Sequence, residues 1–572
     1  MLVRREHKIR VSYQEIFKKG TLTLLTTFGA GALFGKKNMM IAFVLALGSN
    51  ALAAQNLKIK TFYKALRLIL IDTLIVCVAY LTSLNKWLAI PLNLIAIFAI
   101  IYLTVSLYDQ GAHKTFLMLY IFCQYNNVTW LELPSRIAMI VFSVSVIVAV
   151  IFLEQSQIKA LLPPQIGKAL GLIEKQLDLM QKGEGDKHIG DEISYQMNEL
   201  AYVIYGSSFY RYFTTLIGKV NFHFYLNISY LNFLLVQMNK QSIRALFTTQ
   251  EIRDMHYLFK SVQSYFKRQI TRTELLSAFK VHLEEHPKGE GFKAELWESL
   301  FSLKKNFKEL DEVPHRKKHQ VYEGWEHSQL RHMRQTIEQY FRPQKMRFNF
   351  ATRMAIILSI GLFCAEVLGF YKFIWAIIPI MSITQPYLED TKKRRLDRLE
   401  SNIIAAVVVT IVLNLIRVEW FTITLLIVAF YLYYAYKDYY HISFFLTVIS
   451  MCFSTVNAGI NTLFFYRVLY VLIGVATVGI TSYLKPYRLE DGIKELMKEI
   501  KYINQELERE SVLVSQGEGN LNAIREMIIY SAVLCQKLYL RNKQYQDETV
   551  TELIHRNMEF IAKLGYGILR NE

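Results

Sequence analysis

Two blocks of hydrophobic segments, residues 16–153 and 350–484, fall into register when one is slid about 331 residues along the chain. Arg67 then lands on Arg398, Asn126 on Asn457 and Arg136 on Arg467. The register outlasts the apolar blocks, because Gly183-Glu184-Gly185 meets Gly517-Glu518-Gly519 with a slip of about three residues. Duplicated membrane units are a common way to build transporters, whose pathways run between the repeats. Function is therefore sought between the halves.

The chain is 52% hydrophobic and 20% charged, so the two kinds of residue must be segregated. With a spanning helix needing about 20 mostly apolar residues, the first block yields six segments, near 16–34, 38–54, 65–83, 87–106, 114–130 and 133–153. The second yields six more, near 352–370, 372–388, 402–417, 419–436, 441–457 and 463–484. The net charge of +18 is read through the membrane and not through nucleic acid, since Lys and Arg accumulate in cytoplasmic loops. The loop after the second segment carries Lys58, Lys60, Lys64 and Arg67, and its counterpart carries Lys392, Lys393, Arg394, Arg395 and Arg398.

Both loops and the basic N-terminus then face the cytoplasm. An even count makes the repeats parallel, related by an axis along the membrane normal. The expectation is an all-α membrane protein of two parallel six-helix transmembrane repeats with a cytoplasmic helical domain. Its parts are a cytoplasmic N-terminus (1–15), a first repeat (16–153), a helical domain (154–349), a second repeat (350–484) and a helical tail (485–572), with both termini inside. Arg4, Arg5, Lys8 and Arg10 ahead of an apolar stretch resemble a signal peptide, but the run into Lys36-Lys37 and a further apolar segment fits an uncleaved helix.

Val220–Met238 is apolar enough to be scored as a span. It holds Asn221, His223, Asn227, Ser229 and Asn232, too many polar groups for a lipid-facing helix, and is expected to be buried in a helical bundle. The hairpin around 183–185 and its echo around 517–519 are expected to pack together. Residues 240–345 have no counterpart in the second unit. The five cysteines, without Cys-x-x-Cys spacing, read as small apolar residues.

The sharpest local signature is Trp375-Ala376 in an apolar helix, then Gln385-Pro386-Tyr387, then Thr391, Arg395 and Arg398. It resembles the fusaric acid resistance family, also called the aromatic acid exporter superfamily, as do the six-helix unit, its duplication and the insert between halves. Two departures stand out: Ser401-Asn402 follows Arg398 where family members usually carry Gly-Thr, and the first block keeps Arg67 without the Trp-Ala or Gln-Pro signature. The resemblance implies a bacterial inner-membrane exporter of small organic anions, aromatic carboxylates among them, driven by the proton motive force. Soluble-enzyme motifs are poor, so no enzyme activity and no cofactor are expected, and the reach of the resemblance to plant malate channels implies a homodimer in the lipid bilayer.

From the residues themselves, Arg136 and Arg467 lie about one turn inside their helices, where an arginine is costly unless it reaches water, an acid or an anion. They either line the anion pathway or snorkel to lipid phosphate. Arg67, Arg398, Arg395, Lys64, Lys19 and Arg353 form either a positive collar that concentrates anions or ordinary positive-inside flanks. Asp72 and Glu366 are intramembrane acids and hence proton-coupling candidates, although Asp72 could instead pair with Arg67 or Arg136. His282-Leu283-Glu284-Glu285-His286 mimics a zinc-protease pattern but abuts Pro287, where its helix must end. His315, His319, His327 and His332 lie in a basic stretch that reads as a solvated face, so no metal is expected. No Gly-x-x-x-x-Gly-Lys-Ser/Thr sequence is present to bind a nucleotide phosphate chain. The rivals to a coupled exporter are a passive anion channel gated by the helical domain and a non-transporting scaffold for envelope partners.

Overall fold

A computed structural model of the chain describes residues 13–53, 61–105, 111–155, 162–184, 186–207, 216–283, 291–312, 345–369, 372–416, 418–454, 459–483 and 486–571. Among these the secondary structure is helical, without strands. The chain divides into two compact units, residues 1–157 with 336–492, and residues 158–335 with 493–572.

In the first unit, the stretch before the insert forms α1 (Tyr13–Phe34), α2 (Lys36–Ala53), α3 (Thr61–Thr82), α4 (Lys86–Thr104), α5 (His113–Tyr125) and α6 (Leu133–Gln155). The helices of the second stretch, numbered after the seven of the insert, are α14 (Lys345–Leu368), α15 (Ile374–Ile383), α16 (Leu388–Leu415), α17 (Glu419–Ala435), α18 (Tyr439–Ser454) and α19 (Ile460–Thr481). Five segments among the described residues have the length and apolar composition to cross a membrane: Ala65–Leu84, Lys86–Thr104, Leu133–Val150, Lys345–Leu368 and Ile460–Thr481. The remaining expected spans are shorter, as in α15, α17 and α18, or carry charge, as at Glu15, Lys18 and Lys19 of α1.

The basic loop expected before 402 is instead the first half of a 28-residue helix, α16, which carries Lys392, Lys393, Arg394, Arg395 and Arg398. Lys, Arg, Glu and Leu are all good helix formers, and hydropathy marks only the apolar half of such a helix. Lys64 and Arg67 likewise lie on α3. Lys58 and Lys60 fall outside the described residues, as do Arg4, Arg5, Lys8, Arg10 and Asn457.

The two stretches exchange helices reciprocally: α1 packs on α17, and α14 packs on α4. At the first of these contacts Gly20 lets the ring of Tyr431 approach so closely that a Cβ there would collide with it. Thr21 and Thr23 hydrogen-bond the hydroxyls of Tyr431 and Tyr434 at 3.0 and 2.7 Å. At the second, Trp87 meets Phe363 and Phe98 meets Phe348, with ring centroids 5.6 and 5.7 Å apart. Phe43 of α2 packs between Phe430 and Phe453, so the cluster joining the stretches is aromatic.

The second unit holds α7 (Pro164–Gln181), α8 (Lys187–Ser207), α9 (Leu216–Met238), α10 (Gln241–Arg244), α11 (Thr249–Phe266), α12 (Arg272–Leu283) and α13 (Phe292–Glu312). It is completed by α20 (Leu489–Ser515, in this unit from Ile493), α21 (Leu521–Tyr545) and α22 (Glu548–Asn571). Helix α9 is its axis, covered by α7, α8, α13 and α22. Three of the polar groups that argued against lipid contact pin two of these neighbours, α13 and α8. His223 Nδ1 meets Glu309 at 2.9 Å, Asn227 Nδ2 donates to the Ser299 carbonyl at 3.1 Å, and Asn232 Nδ2 donates to the Gly190 carbonyl at 3.0 Å. Buried polar groups so satisfied specify one register of packing.

The echoed glycine turns close in the same way. Gly183 and Gly517 take positive φ (88° and 82°), and the next residue's N–H returns to the carbonyl five residues back, Glu184 to Leu179 and Glu518 to Leu513. Of the two hairpins they close, α8 packs on α21.

Helix α11 begins with a capping box in which Thr248 and Glu251 exchange hydrogen bonds, and Lys293 reaches Glu251 at 2.6 Å. Burial works to raise the Glu251 carboxyl, but Lys293 and the Thr248 donors overcome it, so the group titrates below its ordinary value of 4.5. A carboxyl depressed by folding adds stability above its unfolded value, and that stability is lost as pH falls through the folded value. Glu251→Gln is expected to cost about 1 kcal/mol at pH 7. The gap between its thermal midpoint and that of wild type should close as the pH is lowered past 4.5; a gap unchanged at pH 3 would disprove the assignment.

Candidate functional site

A cavity of about 400 Å³ lies in the first unit, with α2 and α5 on one side and α15, α16, α18 and α19 on the other. Its size suits a small organic molecule. The apolar lining includes Phe43, Met118, Phe122, Trp375, Ile449 and Phe453. Its charged lining residues are Lys36, Lys372, Arg398 and Arg467, all cationic, with no Asp or Glu among the described lining residues.

The local sequence explains how the cavity is built. Gly474 of α19 lies against the backbone of α15: a Cβ there would stand 2.9 Å from the Ala376 carbonyl oxygen and 3.0 Å from Pro379 Cβ. This close approach seats Trp375 beside Arg467, whose guanidinium carbon lies 5.2 Å from the ring centroid, a cation–π contact. Arg467 Nη2 donates to Thr447 Oγ1 at 3.1 Å. Its Nε and Nη1 are buried without a hydrogen-bond partner, as are Nε and Nη2 of Arg398.

Both arginines are only 1% exposed, and their charges lie close enough to repel one another. Two buried guanidinium groups of the same sign, with open donors and no acid among the described lining residues, form an unfavourable arrangement on their own. An anion relieves it by accepting from both forks.

Beneath the arginines lies a polar knot. Asn402, one turn beyond Arg398 on α16, donates through Nδ2 to the Arg398 carbonyl at 2.8 Å and to Ser443 Oγ at 3.0 Å. It accepts at Oδ1 from Thr447 Oγ1 at 2.7 Å, while Ser401 Oγ donates to Ser443 Oγ at 2.8 Å. The first block has Ile71 and Phe116 at the positions matching Asn402 and Thr447, so the knot belongs to the second block alone.

The other anticipated residues are scattered. Arg136 is as buried as Arg467 but does not line the cavity. It acts as a clamp, with Nε donating to Asn38 Oδ1 at 3.1 Å and Nη1 to the Cys123 carbonyl at 3.3 Å, tying α6 to α2 and α5. Arg67 is exposed, in contrast to its buried match Arg398. Lys19 pairs with Glu15 at 3.9 Å. Arg395 lies along α19 with its Nη1 over Gly479, and Arg353 donates to the Gln385 carbonyl.

Asp72 is buried on α3 with Oδ1 unpartnered and forms no ion pair with Arg67 or Arg136. Glu366 is half-buried near the end of α14. Of the signature residues, Trp375 lines the cavity, whereas Gln385, Pro386 and Thr391 build the turn between α15 and α16. There Thr391 Oγ1 accepts from the Gln385 N–H at 3.0 Å and donates to the Tyr387 carbonyl at 2.9 Å. His282 Nδ1 lies 3.6 Å from Asp254, and His286, His315, His319, His327 and His332 fall outside the described residues. Among the described residues no His, Cys, Asp and Glu cluster is arranged to hold a metal ion.

Sequence reasoning missed Asn402, Thr447 and Ser443 as part of the site. The one available signal was Ser401-Asn402 standing where Gly-Thr was expected; Thr447 gave none, since a threonine in an apolar helix bonds its own backbone as readily.

Residues 358–480 match the family model described as fusaric acid resistance protein-like. No curated protein and no solved structure matches the chain. The matched segment contains Trp375, Arg398, Asn402, Thr447 and Arg467, so this part of the chain, with the cavity residues it carries, is similar to the fusaric acid resistance protein-like family.

Proposed function

We propose that the chain exports small organic anions, aromatic carboxylates among them, across a bacterial inner membrane, and that the cavity between its two hydrophobic stretches is the anion site. The observation that carries this reading is the pair Arg398 and Arg467, buried, with unpartnered donors, on a cavity whose charged lining among the described residues is cationic. The carboxylate accepts from both guanidinium forks, and an aromatic body packs among Trp375, Phe43 and Phe122. The two stretches act as parallel six-helix repeats, a reading supported by the reciprocal α1–α17 and α14–α4 packing, and the helical unit and both termini lie in the cytoplasm, as the basic residues of the N-terminus and of the 58–67 and 392–398 stretches suggest. The active species is a homodimer, by analogy with the channels the family resembles.

The test is uptake of labelled benzoate and succinate into proteoliposomes, with and without an imposed pH gradient, by wild type and by Arg398→Gln/Arg467→Gln. Saturable uptake lost in the double variant supports the reading. Uptake of neither anion by folded, inserted wild type overturns it and favours a scaffold role.

Export is driven by the proton gradient, with Asp72 as the coupling acid: it is buried, has an unpartnered carboxylate oxygen and stands apart from the cationic cavity. Asp72→Asn should therefore abolish the stimulation by a pH gradient while leaving downhill exchange within about threefold of wild type, since the anion site is untouched. A passive anion channel is the second reading, favoured by the lack of an acid among the described lining residues. It predicts gradient-insensitive flux in both proteins.

A further inference from the structure

We propose that Asn402 is a positioning residue for the anion site, holding Arg467 in register with Arg398 through Thr447; the inference rests on reading the cavity as an anion site. The hydrogen-bond directions carry it. Asn402 Nδ2 lies against two oxygens, the Arg398 carbonyl and Ser443 Oγ, at 2.8 and 3.0 Å. The carbonyl can only accept, so the amide group must be oriented with its nitrogen towards Arg398 and Oδ1 towards α18. Thr447 Oγ1 stands 2.7 Å from that Oδ1 and 2.9 Å from the Ser443 carbonyl, two acceptors that take its single proton.

What Thr447 then presents to α19 is a lone pair, and Arg467 Nη2 donates into it at 3.1 Å. One arm of the guanidinium is thereby fixed from below and its face is fixed by Trp375, leaving Nε and Nη1 as the open donors. Asn402 thus ties the main chain at one arginine to the side chain of the other, across three helices. A fork whose direction is set in advance loses less freedom on binding than one that must be ordered by its ligand. The first block shows the contrast: without counterparts of Asn402 and Thr447, its arginine Arg136 donates to protein acceptors at Nε and Nη1.

A purely structural knot would lose folded protein, or turnover, on truncation. A positioning knot loses affinity. The experiment measures concentration-dependent uptake of labelled benzoate, with succinate as second probe, by full-length wild type, Asn402→Ala, Thr447→Val, Thr447→Ser and the Asn402→Ala/Thr447→Val double variant.

Apparent KM is expected to rise about tenfold in Asn402→Ala and in the nearly isosteric Thr447→Val, with maximal rate within about twofold. Thr447→Ser, which keeps the hydroxyl, should behave as wild type. The double variant should be no worse than either single one, because the two residues act in series. Unchanged KM in Thr447→Val, a fall in maximal rate at constant KM, or additive losses in the double variant would each overturn the proposal. When wild-type uptake is saturable and lost in Arg398→Gln/Arg467→Gln, these outcomes sink the role of Asn402 alone. Lack of saturable uptake by wild type sinks the anion site, and Asn402's role with it.

Discussion

Arg467→Gln is expected to raise the KM for carboxylate uptake by roughly 10- to 100-fold while leaving the ligand-free protein as stable as wild type or more so. A hydrogen bond to a charged group contributes about 1.5–3 kcal/mol, and each 1.4 kcal/mol is tenfold in affinity. The stability half of the prediction follows from burial. In the free protein the guanidinium is 1% exposed, with two donor atoms unpartnered and Arg398 nearby. Removing a buried charge that has no counter-ion among the described lining residues relieves desolvation and repulsion.

Arg136→Gln should do the opposite. Its Nε and Nη1 serve Asn38 and the Cys123 carbonyl, so the loss leaves buried acceptors unsatisfied and costs about 1–3 kcal/mol. Thermal midpoints with and without benzoate, together with uptake kinetics, separate the two variants. A loss of stability in Arg467→Gln larger than in Arg136→Gln would show that Arg467 is a structural clamp and not an anion ligand.

The second large effect is expected at Gly474. Gly474→Val places a branched side chain where even a Cβ would stand 2.9 Å from the Ala376 carbonyl oxygen and 3.0 Å from Pro379. The neighbour is backbone in a helix that carries an internal proline, Pro379, so it cannot swing aside as a side-chain tip would. Overpacking of this kind costs about 1–3 kcal/mol, and more where backbone must move. Because Trp375 precedes Ala376, pushing α15 away from α19 also detaches the ring from Arg467. Gly474→Val is therefore expected to lower the thermal midpoint and, in whatever protein remains folded, to weaken benzoate uptake. Normal stability and uptake would mean that α15 and α19 do not approach as closely as described.

The helical character of the chain, its two hydrophobic stretches and the signature from Trp375 to Arg398 were all legible in the sequence, because each is written in local pattern. Apolar runs of spanning length make helices whatever their neighbours, and the Gly183 and Gly517 turns follow from the positive φ that glycine adopts without strain. The polar residues of α9 announced a helix buried in protein for the same reason: apolar on most faces, yet with amides and a histidine that need partners. Where the local pattern was itself misleading, the expectation failed. The basic run 392–398 looked like a loop to a hydropathy window, yet Lys, Arg and Leu extend α16 as readily as apolar residues do.

Tertiary structure alone decided what the duplicated arginines became. Sequence register made Arg136 the equal of Arg467 and Arg67 the equal of Arg398; hydrogen-bond partners separated the first pair and burial the second. Arg136 found an asparagine and a carbonyl, Arg67 stayed exposed, and Arg398 and Arg467 met on one cavity. The partners that make the difference, Asn402, Thr447 and Ser443, lie on two helices some forty residues apart in sequence and share no spacing rule. Periodicity along a chain encodes which face of a helix is apolar, but which buried donor meets which acceptor depends on how neighbouring helices cross, and that is settled only when they pack.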